Sequence, residues 1–321
     1  MSVATAFAAF QQTVNADIED VREARARRDL LKKAFLPEAD ILEVVPSGSL
    51  ARGTYKDPIH DVDVILIFDP TKHPGWGDPG QSAADSLDYT RCKVNTLLGA
   101  TNGTVEKAVR LARWRNHAVK CFIDAPNDPA EFTVDAMPAF RRDGMLFIPE
   151  AISENWVYSH PEYLIAATAA KHAEWNKFAG TVRMLKRWAD DQNIEIKSLV
   201  MEVLALQHLP LGLTQSAAVK QFFVAASYHI EGGTEVTDPA DICGPIQSDL
   251  DYSKFADRLA VARADAVAAT QAQGNNDTYS AILHWGAVFG SDFPAPTTSD
   301  GSPLPATAPL GPRPVKDTPQ G

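Results

Sequence analysis

Asp61-Val62-Asp63 opens an apolar run that continues to Phe68. Alternation along a strand sends both carboxylates to one face. Side by side they repel, and beside a buried strand that arrangement is costly unless a cation sits between them. Oxygen donors, with no paired His or Cys nearby, select Mg²⁺ or Mn²⁺ over zinc. A third carboxylate, Asp135, follows the apolar segment Phe132-Thr133-Val134 and precedes Pro138, where the strand is expected to end. If these two strands are neighbours, Asp61, Asp63 and Asp135 converge, and three oxygen ligands suffice for two ions.

Upstream, the apolar segment Ile41 to Val45 runs into Pro46-Ser47-Gly48-Ser49, whose last residue stands twelve before Asp61. Gly48 lets the backbone turn tightly and approach a ligand closely. A helix starting near Ser49 would aim its free N–H groups at phosphate oxygens, with the Ser49 hydroxyl as a further donor. A phosphate loop beside a divalent-metal site has the parts that phosphoryl transfer needs, which are positioning and charge neutralisation. Asp135 would lie nearest the attacking hydroxyl and is placed to accept its proton.

The elements that must position these groups fall into two halves. Residues 4–35 carry apolar side chains at three- and four-residue steps (Phe7, Phe10, Val14, Ile18, Val21, Leu30), which predicts one long amphipathic helix. Strands are expected over 41–45, 62–68, 105–109, 118–123 and 131–135, with a helix over 81–98. From Pro161 the periodicity turns helical, with segments at 162–192, 197–208, 215–228, 253–272 and 277–289. The fold class is therefore α/β (α+β): a lobe with a mixed sheet over residues 1–158 and a helical lobe over 159–293. Residues 294–321 hold eight of the 22 prolines and read as an extended, disordered tail.

The chain has 321 residues, 45% of them hydrophobic, and a formal net charge of −11. That balance disfavours a partner held by broad phosphate neutralisation, so no long nucleic acid is required, while a small anionic substrate carried with Mg²⁺ remains compatible. Cys92, Cys121 and Cys243 stand far apart without metal-ligand spacing and read as buried thiols of a reducing cytoplasm. The first ten residues lack a basic signal-peptide start, and no stretch has the ~20 uncharged apolar residues of a membrane span. The expected localisation is cytoplasmic.

The order Gly48-Ser49, Gly53-Thr54, Asp61-Val62-Asp63 and a distant Val134-Asp135 resembles the nucleotidyltransferase signature of the DNA polymerase β superfamily. In the helical half, Val182-Arg183-Met184-Leu185-Lys186-Arg187-Trp188, Ile196-Lys197-Ser198-Leu199-Val200-Met201-Glu202 and Trp285-Gly286-Ala287-Val288-Phe289-Gly290 are similar to segments of the CD-NTases. These are bacterial relatives of cyclic GMP-AMP synthase and oligoadenylate synthase that act in CBASS anti-phage systems. The resemblance spans about residues 1 to 294. It implies two metal ions on Asp61, Asp63 and Asp135, and a donor triphosphate held by Gly48, Ser49, Lys186 and Ser198. NTP substrates, ATP among them, would become a cyclic di- or trinucleotide that reaches its effector as a product. Many relatives carry an aromatic residue after the serine, where this chain has Leu199. Some relatives are conjugated at the extreme C-terminus by a ubiquitin-transfer-like enzyme, a fate the resemblance extends to Gly321. A transferase acting on tRNA, protein or a small molecule, and a catalytically silent nucleotide-binding or antitoxin module, are the alternative readings.

Other signals are set aside. Gly75-Trp76-Gly77-Asp78-Pro79-Gly80 has the G-x-G-x-x-G form but lies among prolines beyond a strand, so it reads as a mobile loop beside the site. Arg141-Arg142 reads as an exposed basic pair, His60 as structural, and Trp156, Trp175, Trp188 and Trp285 as packing residues.

Overall fold

The computed structural model describes residues 1–99, 108–124 and 132–297. The expected strand over 105–109, the start of that over 131–135 and the tail with Gly321 lie wholly or partly outside these residues.

The single long helix expected over residues 4–35 is two helices, α1 (Val3–Val14) and α2 (Ile18–Phe35). Asn15 is extended (φ −76°, ψ 132°), and the Asp17 side chain caps α2 by accepting the Glu19 N–H. Asp17, Glu19 and Asp20 form a helix start that complements the positive end of the peptide dipoles, so a new helix begins inside a continuous periodic pattern. The two helices serve different cores. Phe7 of α1 packs edge-on against Trp285 at 4.9 Å, whereas Leu31 and Phe35 of α2 join Val64, Leu66 and Phe68 under the sheet.

The sheet is mixed. β1 (Ile41–Ser47) pairs antiparallel with β2 (Asp61–Phe68), and β2 pairs parallel with β5 (Thr133–Arg142). β4 (Val119–Phe122) pairs antiparallel with β5, and β3 (Leu111–Trp114) with β4, giving the order β1-β2-β5-β4-β3. Pro138 does not end its strand. β5 runs on to Arg142, leaving β4 after Ala136 and taking β6 (Met145–Glu150) from Phe140 onward. Pro138 lacks a ladder donor, and it sits where the strand changes partner on that edge. β7 (Asn155–Ser159) completes a hairpin with β6.

Helix α3 (Gly48–Arg52) follows β1, and α4 (Ser82–Leu97) packs on the sheet. The glycine- and proline-rich loop between β2 and α4 is pinned. Trp76 stacks on His73 with ring centroids 4.0 Å apart, and Asp40 accepts from His73, Tyr89 and Lys93. This loop packs beside Phe140 and Trp156, and no residue from 69 to 80 lines the cleft described below.

Helices α5 (Pro161–Glu174), α6 (Phe178–Asp190), α7 (Ser198–His208), α8 (Gln215–Glu231), α9 (Tyr252–Gly274) and α10 (Thr278–Phe289) follow. The expected segment over 162–192 divides at Trp175, which is extended (φ −141°, ψ 101°) and buried. Trp188, Trp285, Phe222, Phe223, Phe255 and Phe289 are fully buried in one apolar cluster that also takes in α1. Trp156 and Trp175 are buried as well, so the four tryptophans expected to pack do so.

Candidate active site

The site is built at the end of β1. Gly48 has φ +68°, a left-handed conformation that favours glycine, and it opens α3, which Gly53 (φ +70°) closes after five residues. This element is thus a single turn, too short to sum a helix dipole, and what it can offer a ligand is its unpaired N–H groups. A Cβ on Gly48 would fall 1.6 Å from Asp63 Oδ2, so the glycine is required by space as well as by backbone angle.

The sheet register brings the aspartates together. Asp63 stands opposite Ser47 of β1 on one side and Asp135 of β5 on the other, while Asp61 pairs with Thr133. Val62, Val64 and Val134 point into buried clusters on the opposite face, which fixes the carboxylates to one side. Burial, then the charges of Asp61 and Asp135, push the Asp63 carboxyl up to about 7, against the opposing pull of Arg52. Burial also raises Asp135, with Lys120 and Arg115 opposing it, and Asp135 Oδ1 is buried without a hydrogen-bond partner. Crowded carboxylates that bind protons too tightly and leave an oxygen orphaned fit a hard divalent cation. Among the described residues no three His, Cys, Asp or Glu side chains already stand in metal-holding geometry.

A cleft of about 570 Å³ faces this cluster. Gly48, Ser49, Asp61 and Asp63 form one wall, with Lys186, Ser198, Leu199 and Glu202 across from them. Asp135 is not among the lining residues and joins the site through its register with Asp63. A smaller cleft of about 190 Å³ shares Ser49, Asp61, Lys186 and Ser198, and adds Lys56 and His60. A cavity of about 610 Å³ between α6, α9 and α10 holds none of the expected site residues, so size alone does not mark the chemistry.

Lys186 is 3% exposed, and its Nζ donates to Thr54 O and Glu202 Oε1, each at 3.0 Å. Two of its three ammonium donors are therefore engaged within the protein. Ser198 is exposed at the first position of α7, and Leu199 is half-buried, shared between the cleft and the helical core. Arg141 is bound to Glu43 and Glu162 and lines neither cleft. The His60 carbonyl accepts the Thr133 N–H at 3.0 Å, a contact of the backbone alone, and the residue also lines the smaller cleft.

Sequence reasoning missed Arg52, Thr54 and Glu202. A signal existed: Glu202 is the lone charge in Leu199-Val200-Met201-Glu202-Val203-Leu204, and a carboxylate inside an apolar helix must find cations. Glu202 is held down to about 2; its burial works against this, and Lys186 and Arg52 more than offset that effect.

No family model matches the sequence, and no curated protein is similar to it. Solved structures are. The structure of Escherichia coli MS115-1 CdnC with ATP superposes with a TM-score of 0.69 at 18% identity, covering 92% of this chain and 99% of that one. Bradyrhizobium diazoefficiens CD-NTase CdnG in complex with GTP gives 0.61 at 12% identity, over 89% and 98%. The Vibrio cholerae di-nucleotide cyclase DncV in complex with ATP and GTP gives 0.56 at 10% identity, over 78% and 70%. At such identities the likeness is one of architecture, and the architecture of this chain is that of the bacterial CD-NTases.

Proposed function

We propose that this chain is a divalent-metal-dependent nucleotidyltransferase that joins NTPs, ATP among them, into a cyclic di- or trinucleotide messenger for anti-phage defence. The observation that carries the reading is the pairing of Asp63 with Asp135 on adjacent parallel strands, facing the Gly48-Ser49 turn across a cleft from Lys186 and Ser198. The nucleotides bound in the CdnC, CdnG and DncV structures support the substrate class.

In this reading Asp61, Asp63 and Asp135 hold Mg²⁺ or Mn²⁺, two ions in all, whose bound charge neutralises the triphosphate and lowers the proton affinity of the attacking hydroxyl. The chain's own groups do the rest. The N–H groups of the Gly48-Ser49 turn and the Ser49 and Ser198 hydroxyls donate to phosphate oxygens, and the third donor of Lys186 points its charge at the same group. Asp135, with its unpartnered Oδ1, accepts the proton of the attacking hydroxyl. The sheet lobe supplies the carboxylates, and the helical lobe clamps the triphosphate, closing the cleft against water. The product, rather than a protein contact, reaches the effector, and the reaction takes place in the cytoplasm. No described helix is long and apolar enough to cross a membrane.

The experiment is incubation with all four NTPs and Mg²⁺, followed by mass spectrometry. Cyclic product from NTPs alone supports the reading. Transfer only after tRNA, protein or a small molecule is added would reassign the acceptor, and tight NTP binding with no transfer would make the chain a binding module.

A further inference from the structure

The most heavily bonded side chain in the cleft wall is not an aspartate. Glu202 Oε2 accepts from Arg52 Nε and from the Thr54 hydroxyl, each at 2.7 Å. Its Oε1 accepts from Lys186 Nζ at 3.0 Å and from Arg52 Nη2 at 3.3 Å. The side chains of Arg52, Lys186 and Glu202 are 9%, 3% and 3% exposed. Arg52 belongs to the turn that carries Gly48 and Ser49, Lys186 lies at the centre of α6, and Glu202 comes from α7. One carboxylate thus ties three separate elements together at the substrate wall.

Two cations share one anion here, so the cluster keeps a net positive charge in a buried place, opposite three aspartates. A buried ion cluster of this kind is poor evidence for stability, because apolar residues of the same volume would often do as well. Its value lies in geometry. Without the carboxylate, Arg52 and Lys186 would repel each other, and the Lys186 ammonium would keep only Thr54 O. With it, two Lys186 donors are pinned and the third has a fixed direction.

We propose that Glu202 is a positioning residue for the nucleotide triphosphate, its carboxylate, itself anchored by Arg52 and Thr54, holding the Lys186 ammonium so that it addresses phosphates at the Gly48-Ser49 turn. The inference rests on the reading of the cleft as a nucleotide site. Glu202 touches no reacting atom. Its effect passes through Lys186 and appears in nucleotide affinity.

The test is a double-mutant cycle on the full chain with Lys186→Met, Glu202→Gln and the pair, read as the KM for ATP in product formation and as the Kd for Mg²⁺-ATP by calorimetry. Each single variant should weaken ATP by about 10- to 100-fold, the range for loss of a charged hydrogen bond. The double variant should match Lys186→Met within about twofold, since acting through one residue makes the penalties non-additive. Penalties that multiply, or an unchanged KM and Kd in a folded Glu202→Gln protein, would overturn the proposal. A purely structural Glu202 would lower the melting temperature and the active fraction while leaving KM unmoved. If Glu202→Gln does not fold, Glu202→Asp enters the cycle in its place under the same criteria. Failure of the reaction itself is seen separately: wild-type protein that binds ATP yet makes no product refutes the transferase reading, while the cycle in Kd still decides the role of Glu202.

Discussion

Gly48 and Asp63 leave no room for a carbon atom between them, since a Cβ on the glycine would lie 1.6 Å from the aspartate's Oδ2. The Gly48-Ser49 turn and the carboxylate at the centre of the cluster therefore set each other's position. Gly48→Ala must both strain a left-handed backbone and displace the carboxylate. We expect a loss of about 1–3 kcal/mol in stability and a fall in pyrophosphate release larger than unfolding explains, checked by chemical denaturation beside a pyrophosphate assay.

Burial and like charge place an electrostatic load on the aspartate cluster. They raise Asp63 and Asp135, and one Asp135 oxygen has no partner. Asp135→Asn should therefore stabilise the chelated protein by about 1–2 kcal/mol while abolishing turnover. Mg²⁺ or Mn²⁺ should raise the melting temperature of the wild type and leave that of Asp61→Asn/Asp63→Asn unmoved. Differential scanning fluorimetry with EDTA or added metal reads both effects.

Glu202 behaves in the opposite sense. Its folded-state value, about 2, lies below the ordinary carboxylate value of 4.5, so its stabilisation is complete above 4.5 and is lost as pH falls toward 2. The wild type should lose stability over that window more steeply than Glu202→Gln in urea melts at stepped pH. Glu202→Ala at neutral pH leaves Arg52 and Lys186 buried without their counter-charge and should destabilise by about 3–5 kcal/mol.

Helix α1 is fastened to the helical cluster by aromatic contacts, Phe7 meeting Trp285 at 4.9 Å and Phe293 at 5.4 Å. Phe7→Ala should cost about 3–5 kcal/mol in thermal or denaturant unfolding, without altering the KM for NTP in the protein that remains folded.

The carboxylate pairing was readable because it rests on period-two alternation and one continuous apolar strand, both local to Asp61-Val62-Asp63. The mixed sheet was readable for the same reason, and the helical second half from its own three- and four-residue periodicity. The break at Asn15 was hidden, since apolar periodicity runs through it and only the Asp17 cap betrays a new helix. β3, four residues paired only with β4, is too short to show alternation, the β6-β7 hairpin escaped because its partner is set by the tertiary path of β5, and Pro138 looked like a strand end when it marks a change of neighbour. The lone charge at Glu202 signalled a carboxylate in need of cations, but its partners were hidden: Arg52 and Thr54 reach it across 148 to 150 residues of chain, and no spacing rule encodes that contact.

The central claim, that the paired aspartates serve nucleotide transfer, is tested most directly by pyrophosphate release and product mass in a mixture of four NTPs with Mg²⁺, comparing wild type with Asp61→Asn/Asp63→Asn. Wild type should yield a cyclic oligonucleotide and the variant none, at equal folded content. Product formation retained in the variant, or none from a folded, metal-loaded wild type, would contradict that claim.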